Sequence, residues 1–260
     1  MIATIVSSQT IKVMSYNIRL DVASDGVNQW SNRKEKLPAL IQKYDPDLVG
    51  LQEAMHHQLM DILTALPQYG YIGVGRDDGK EKGEYSAILY RKDRFEVESS
   101  KTTWLSKTPD VPGSKDWDAA ITRILTRGKF KDKKTGKEFM YFNTHFDHIG
   151  KEARKNSAEI IVAEVKRESL PVLVTGDFNS QVTEDPYKII SASIDDARPP
   201  SSTQGTFCTF KVNGQECTLI DHIFSKNFKR KNYQVIMDND GTYYPSDHLP
   251  VMAEFSLSSD

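Results

Sequence analysis

Most of the polar chemistry of this 260-residue chain sits in short packets at the ends of apolar runs. Near the C-terminus, Asp247 and His248 stand side by side between Pro245 and Pro250, just ahead of Val251, Ala253 and Phe255. That alternation predicts a half-buried final strand. The apolar run "VLVT" ends in Gly176-Asp177-Phe178-Asn179. Side chains two apart in an extended chain point the same way. Asp177 and Asn179 can therefore address one point, one holding a water and the other a polar oxygen. An Asx turn capping the next segment is the plainer alternative. In "MYFNTHFDH", Asn143, His145 and Asp147 alternate with Phe142, Thr144 and Phe146. Three polar groups on one face point to ligand or acid–base work rather than to one packed histidine.

In "TLIDHIF", Asp221 lies between Leu219 and Ile223 on one face. A carboxylate among such neighbours is costly to bury unless it is paired. A histidine is the natural partner, because the carboxylate stabilises its charged form. His222 points to the opposite face and reads as packing, so His248 is the candidate. Glu53 ends "LVGLQE", and Asn17 lies in "VMSYNI". Each alone reads as a loop-capping polar residue. A carboxylate at a strand end also suits Mg²⁺, which binds through one or two carboxylates plus substrate oxygens. With Asp247, Glu53 and Asn17 can form an open, mostly hydrated hard-metal site. No Cys/His cluster has zinc spacing, and there is no P-loop, no dinucleotide fingerprint and no nucleophile elbow. The inventory fits metal-assisted attack of water on a phosphate ester.

Those groups must be held by strand ends, and the chain supplies them. Strand-like stretches at 11–18, 46–53, 84–91, 95–104, 171–179, 218–224 and at the C-terminus alternate with helical spacing at 31–44, 56–66 and 151–168. Ser31 is the expected N-cap of the first helix. Residues 119–130 and 138–146 read as a hairpin turning at "KDKKTGK". The pattern predicts a single α/β domain over 11–260, with residues 1–10 as an N-terminal tail. That tail lacks a positively charged leader. A clipped export signal and a frayed start are equally open, and with them a periplasmic or secreted and a cytoplasmic location.

The net charge is −2, from 34 Lys+Arg against 36 Asp+Glu, which disfavours a dedicated nucleic-acid binder. No apolar run is long enough to span a membrane. A monomer is expected. Cys208 and Cys217 flank a hairpin expected to turn at Asn213-Gly214. That turn sets Phe210 opposite Cys217 and leaves the thiols diagonal, so both are expected to be free. The basic stretch "KNFKRK" (226–231) is expected to be a surface loop.

The packets "SYNI" (15–18), "LQE" (51–53), "NTHFDH" (143–148), "TGDFN" (175–179), "IDHIF" (220–224) and "SDHLPV" (246–251) resemble, in order, the motifs of the endonuclease/exonuclease/phosphatase superfamily. The resemblance implies a DNase I-like α/β fold, a four-layer sandwich of two packed mixed β-sheets flanked by helices. It implies Mg²⁺, with Mn²⁺ as a possible substitute, held by Glu53 with Asn17 and Asp247 nearby. Asp177 orients or deprotonates the attacking water, Asn179 contacts the phosphate, and Asp221 pairs with a catalytic His248. By the same likeness His145 is a second histidine of the site, Glu84 is its partner, and Arg123 lies near the phosphate. Two departures stand out. The apurinic-endonuclease branch has an Asp where this chain has Arg19, and a Tyr where it has His145. Residues 104–123 resemble a bacterial branch of the superfamily. A small phosphodiester or phosphomonoester, a lipid headgroup or a nucleotide is the expected substrate, ahead of duplex DNA. A DNase- or exonuclease-type nuclease is the alternative, and a non-catalytic binding module is a third reading that the complete set of site residues disfavours.

Overall fold

In the computed structural model the alternating runs become strands of two six-stranded sheets. Residues 10–257 are described, so the expected tail lies, Thr10 apart, outside the described residues. The first sheet holds β1 (Ile11–Asn17), β2 (Leu48–Gln52), β3 (Tyr69–Ile72), β4 (Ile88–Arg91), β11 (Phe228–Val235) and β12 (Val251–Leu257). The second holds β5 (Phe95–Trp104), β6 (Ile124–Asp132), β7 (Glu138–His145), β8 (Val172–Asp177), β9 (Asp195–Asp196) and β10 (Asp221–Lys226). Their orders are β11-β12-β1-β2-β4-β3 and β5-β6-β7-β8-β10-β9. The pair β1–β2 in the first sheet and the pair β7–β8 in the second are parallel. The other neighbours run antiparallel.

Three apolar layers join these sheets to each other and to the helices. Helices α2 (Lys36–Tyr44) and α3 (His56–Ala65) set Leu37, Ile41, Leu59 and Ile62 on Met14, Val49 and Leu89 of the first sheet. Helices α4 (Lys151–Arg167) and α5 (Asp185–Ser191) set Ala158, Ile161 and Ile190 on Phe142, Val174 and Phe224 of the second. Between the sheets, Val13, Leu48 and Phe255 meet Phe130, Phe139 and Leu173. Each fully buried Leu or Phe contributes about 1.5–3 kcal/mol. The result is the expected order of helix, sheet, sheet, helix.

Behind the strand ends this greasy middle layer gives way to a polar plug. Asn143 Nδ2 donates to the carbonyls of Leu51 (2.8 Å) and Ala87 (2.9 Å), across the sheet interface. Its Oδ1 accepts from Gln52 Nε2 (2.8 Å) and Thr175 Oγ1 (3.0 Å). The close approach requires glycine at position 50. A Cβ there would lie 2.1 Å from Thr175 Oγ1 and 2.5 Å from Asn143 Oδ1.

Three local expectations are corrected. The helix predicted over 31–44 is broken into α1 (Trp30–Arg33) and α2, and Gln29 rather than Ser31 flanks its start. Pro38 explains the break: its ring lacks an N–H and clashes with the carbonyl four residues back, so it is tolerated only in a first turn. The "KNFKRK" stretch mostly forms β11, an edge strand with exposed Lys229, Arg230 and Lys231 and a bulge between Arg230 and Asn232. Charges and bulges on an edge discourage pairing with another chain. Finally, Cys208 and Cys217 are joined in a disulfide, with Cα atoms 4.2 Å apart. The turn closes one residue earlier than expected, with Gly214 N donating to Lys211 O (3.0 Å) and Asn213 at φ 57°. Phe207 then faces Thr218, which puts the two cysteines directly opposite each other.

Candidate active site

The two parallel pairs point their C-terminal ends to one rim of the sandwich. Asn17 ends β1, Glu53 follows β2, His145 ends β7 and Asp177 ends β8. Their antiparallel neighbours begin at the same rim. Asp221 opens β10 opposite Asp177, and His248 lies three residues before β12. The first sheet therefore supplies Asn17, Glu53, Asp247 and His248, and the second supplies His145, Asp177, Asn179 and Asp221. Glu53 (φ 61°), Asn179 (φ 46°) and Arg19 (φ 57°) all hold left-handed backbone. For residues with a Cβ this is a strained state that clusters at functional sites.

Asp221 Oδ2 lies 2.8 Å from His248 Nδ1, and both residues are buried. Burial pulls the His248 imidazole down, but the carboxylates of Asp221, Asp177 and Asp247 outweigh it and hold the ring charged well above its ordinary range. Its Nε2 lies 3.7 Å from Asp177 Oδ2. Phe207 packs on the ring, with centroids 4.9 Å apart. Asp177 accepts from the Asn179 backbone N–H (2.9 Å) and from Asn17 Nδ2 (2.9 Å). Burial and the facing charge of Asp221 push its carboxyl up to about 7.

Asn17 Nδ2 also donates to Glu53 Oε1 (3.0 Å), and Asn17 Oδ1 accepts from the Arg19 backbone N–H (3.0 Å). Expected as a metal neighbour, Asn17 turns its amide donors toward Glu53 and Asp177 and so ties the two sheets' carboxylates together. His145 Nε2 accepts from Asn179 Nδ2 (3.1 Å) and lies 3.4 Å from Asp177 Oδ2. Burial, helped by Arg123 and Arg76, holds His145 well below its ordinary range, and hence neutral.

Glu84 is less a partner of His145 than expected. Its Oε2 stands 4.0 Å from His145 Nδ1, while Arg76 grips both its oxygens at 2.6 and 2.8 Å. Arg76 was not found from sequence; the signal was Glu84 itself, a carboxylate near a buried strand that needs a cation. Arg123 is 5% exposed, and its Nε and Nη1 make no hydrogen bond, though Nε stands 3.8 Å from Asp147 Oδ2; Nη2 reaches His148 Nδ1 at 3.2 Å. Asp147 stands behind Arg123 rather than in the cavity. It accepts the backbone N–H groups of Ile121, Ile149 and Gly150 (2.7–3.1 Å). Asn143, in the plug, also lies off the site. His222 is packing, as expected, with Nε2 on the Ser180 carbonyl at 3.0 Å.

Glu53, Glu84, Arg123, His145, Asp177, Asn179, Asp247 and His248 line one cavity of about 370 Å³, with Leu20, Ile121, Phe207 and Ile220 also in its walls. A model for the Endonuclease/Exonuclease/phosphatase family matches residues 14–248. The chain belongs to that family. This places it among the hydrolases of phosphate esters. An endonuclease/exonuclease/phosphatase family protein from Bacteroides thetaiotaomicron superposes with a TM-score of 0.92, at 41% identity over 96% of each chain. A mannosyl-6-phosphatase from the same organism gives 0.89, at 42% identity over 94% of this chain and 99% of that one. Nocturnin of Xenopus laevis is 24% identical over 97% of this chain and 74% of its own length.

The donor set suits the hard divalent cation that such a fold implies. Glu53 Oε2 and Asp247 Oδ2 are reached by a single guanidinium, that of Arg19, at 3.9 and 3.8 Å. Burial first, and then Glu53 among its charged neighbours, pushes the Asp247 carboxyl upward. A carboxyl pushed upward by a neighbouring carboxylate is relieved by a cation, and oxygen donors select a hard one. Donor atoms of Glu53, His145 and Asp177 also lie within 4.8 Å of one another, but His145 Nε2 is already taken by Asn179.

Proposed function

We propose that the chain is a Mg²⁺-dependent phosphatase of a small phosphate monoester such as a sugar phosphate, with Mn²⁺ as a substitute ion. The observation that carries this is Arg123: a buried guanidinium with two nitrogens that make no hydrogen bond, lining a cavity of about 370 Å³. Buried donors without partners cost about 1–3 kcal/mol each and are satisfied by an anionic ligand. A monoester dianion brings more charge than a diester and uses them better. The cavity is at the small end for ligand sites, and its apolar walls suit a compact alcohol rather than a polymer. The 42% identity to a mannosyl-6-phosphatase points the same way.

Glu53 and Asp247 would hold the ion, which when bound supplies positive charge to the oxygens on phosphorus. Asp177 accepts a proton from the attacking water as the new P–O bond forms and the ester P–O bond breaks. His248, kept cationic by Asp221, faces the phosphoryl oxygens and the departing alcohol oxygen. Arg123 and His148 hold the remaining phosphate oxygens. The disulfide supports the exported alternative for location, since such bonds persist in oxidising compartments.

The test is a side-by-side assay of a sugar 6-phosphate, p-nitrophenyl phosphate, bis-p-nitrophenyl phosphate, sphingomyelin and an oligonucleotide, with Mg²⁺ and with EDTA. Monoesters should be cleaved fastest and EDTA should abolish turnover. Cleavage confined to diesters or to the oligonucleotide would overturn the proposal in favour of a phosphodiesterase or nuclease.

A further inference from the structure

Arg19 places a positive charge among the carboxylates that would receive the cation. Its guanidinium is clamped by Asp25 through two parallel contacts, Nε to Oδ2 and Nη2 to Oδ1, both 2.9 Å. Nη1, outside the clamp, lies 3.9 Å from Glu53 Oε2, and the clamped Nε also stands 3.8 Å from Asp247 Oδ2. The backbone beneath is pinned as well. Arg19 N donates to Asn17, and its carbonyl accepts from Arg33 Nη2 (3.0 Å) and Gln58 Nε2 (2.9 Å).

Two features of this geometry matter. The contacts to Glu53 and Asp247 exceed hydrogen-bond length, so the guanidinium takes none of their lone pairs. Glu53 Oε2 gives one lone pair to the Leu20 backbone N–H (3.1 Å), and a carboxylate oxygen keeps a further lone pair for a metal. The bidentate clamp keeps the guanidinium in place, so its charge remains when a second cation arrives. A fixed unit charge some ångströms from a divalent ion repels it through a half-buried medium.

We propose that Arg19 is a built-in counter-charge that lowers the affinity of the Glu53–Asp247 site for its divalent cation. It holds the two carboxylates together before the ion binds and discounts the ion's binding afterwards. This rests on the reading of Glu53 and Asp247 as the ion's ligands.

Direct binding tests it without turnover. Free Mn²⁺ is measured by electron paramagnetic resonance during titration of the wild type, Arg19→Gln and Arg19→Lys, each checked for native circular dichroism. Arg19→Gln should bind Mn²⁺ about tenfold more tightly, and Arg19→Lys, which keeps the charge, should stay within about threefold of the wild type. Equal or weaker binding by Arg19→Gln, with the wild type still binding Mn²⁺, would overturn the inference alone. A wild type that binds no Mn²⁺ would overturn the metal assignment and the inference with it. Should Arg19→Gln fail to fold, Arg19→Met serves as the neutral variant, with the same two outcomes.

Discussion

Asp177 and Asp221 face each other as a register pair across β8 and β10, and His248 reaches both of them. Two carboxylates at that spacing repel unless a cation or a proton intervenes. The imidazolium of His248 does so, which makes the three residues one electrostatic unit.

Asp221→Asn removes the charge that keeps His248 cationic. The expected result is a fall in kcat of roughly 10²- to 10⁴-fold with KM changed little, by analogy with other His–carboxylate pairs. Steady-state kinetics on p-nitrophenyl phosphate decide it; a kcat within a few-fold of the wild type would remove Asp221 from the machinery.

Asp177→Asn and His248→Ala should each abolish most turnover, by on the order of 10³-fold. If they serve one step, the double variant will be scarcely worse than either single one. Multiplicative losses would mean that the two residues act independently.

Glu53→Gln keeps the shape of a cation ligand and loses its charge. The Mg²⁺ concentration for half-maximal rate should rise by roughly tenfold or more. An unchanged Mg²⁺ titration would place the ion elsewhere.

Gly50→Ala tests the contact between the sheets. The new methyl meets Thr175 and Asn143 at 2.1–2.5 Å, and neither is a flexible chain end. A loss of roughly 1–3 kcal/mol in unfolding free energy is expected from overpacking, read from urea midpoints. A neutral effect would show that the sheets part more readily than their spacing implies.

Asp147 gives the acid limb of stability. Burial pushes its carboxyl up, but the backbone N–H groups of Gly150, Ile121 and Ile149 outweigh this and hold it at about 2, below the ordinary 3.8. A carboxyl lowered by folding stabilises fully above its unfolded value and loses that stability as pH falls through its folded value. Asp147→Asn should therefore have a lower Tm at pH 6, with the gap to the wild type closing between about pH 4 and pH 2. A gap that stayed constant with pH would show that hydrogen-bond geometry, not charge, carries the effect.

Much of the site was legible because its residues break local rules. Asp221 among Leu219 and Ile223 demanded a partner, and His248 is that partner. Asn143 misled because alternation says which way a side chain points along a strand, not what lies opposite. It shares a periodicity with His145, yet β2 and the chain ahead of β4 stand over it and take its amide. Arg76 and Phe207 sit outside the regular strands: a local loop returns Arg76 to Glu84, and only the closing of distant segments brings Phe207 to His248. The fold class followed from alternating patterns, whereas Pro38 and a one-residue shift in the turn before Cys217 decided details that patterning leaves open.

The bonds from Asn17 to Asp177 and from Asp221 to His248 each join groups supplied by different sheets. Neither half of the sandwich owns a working set of groups. Activity is then a gauge of how the halves are aligned. A slippage of a single ångström between them, too small to register in helix content or in the midpoint of melting, would be recorded first as lost turnover.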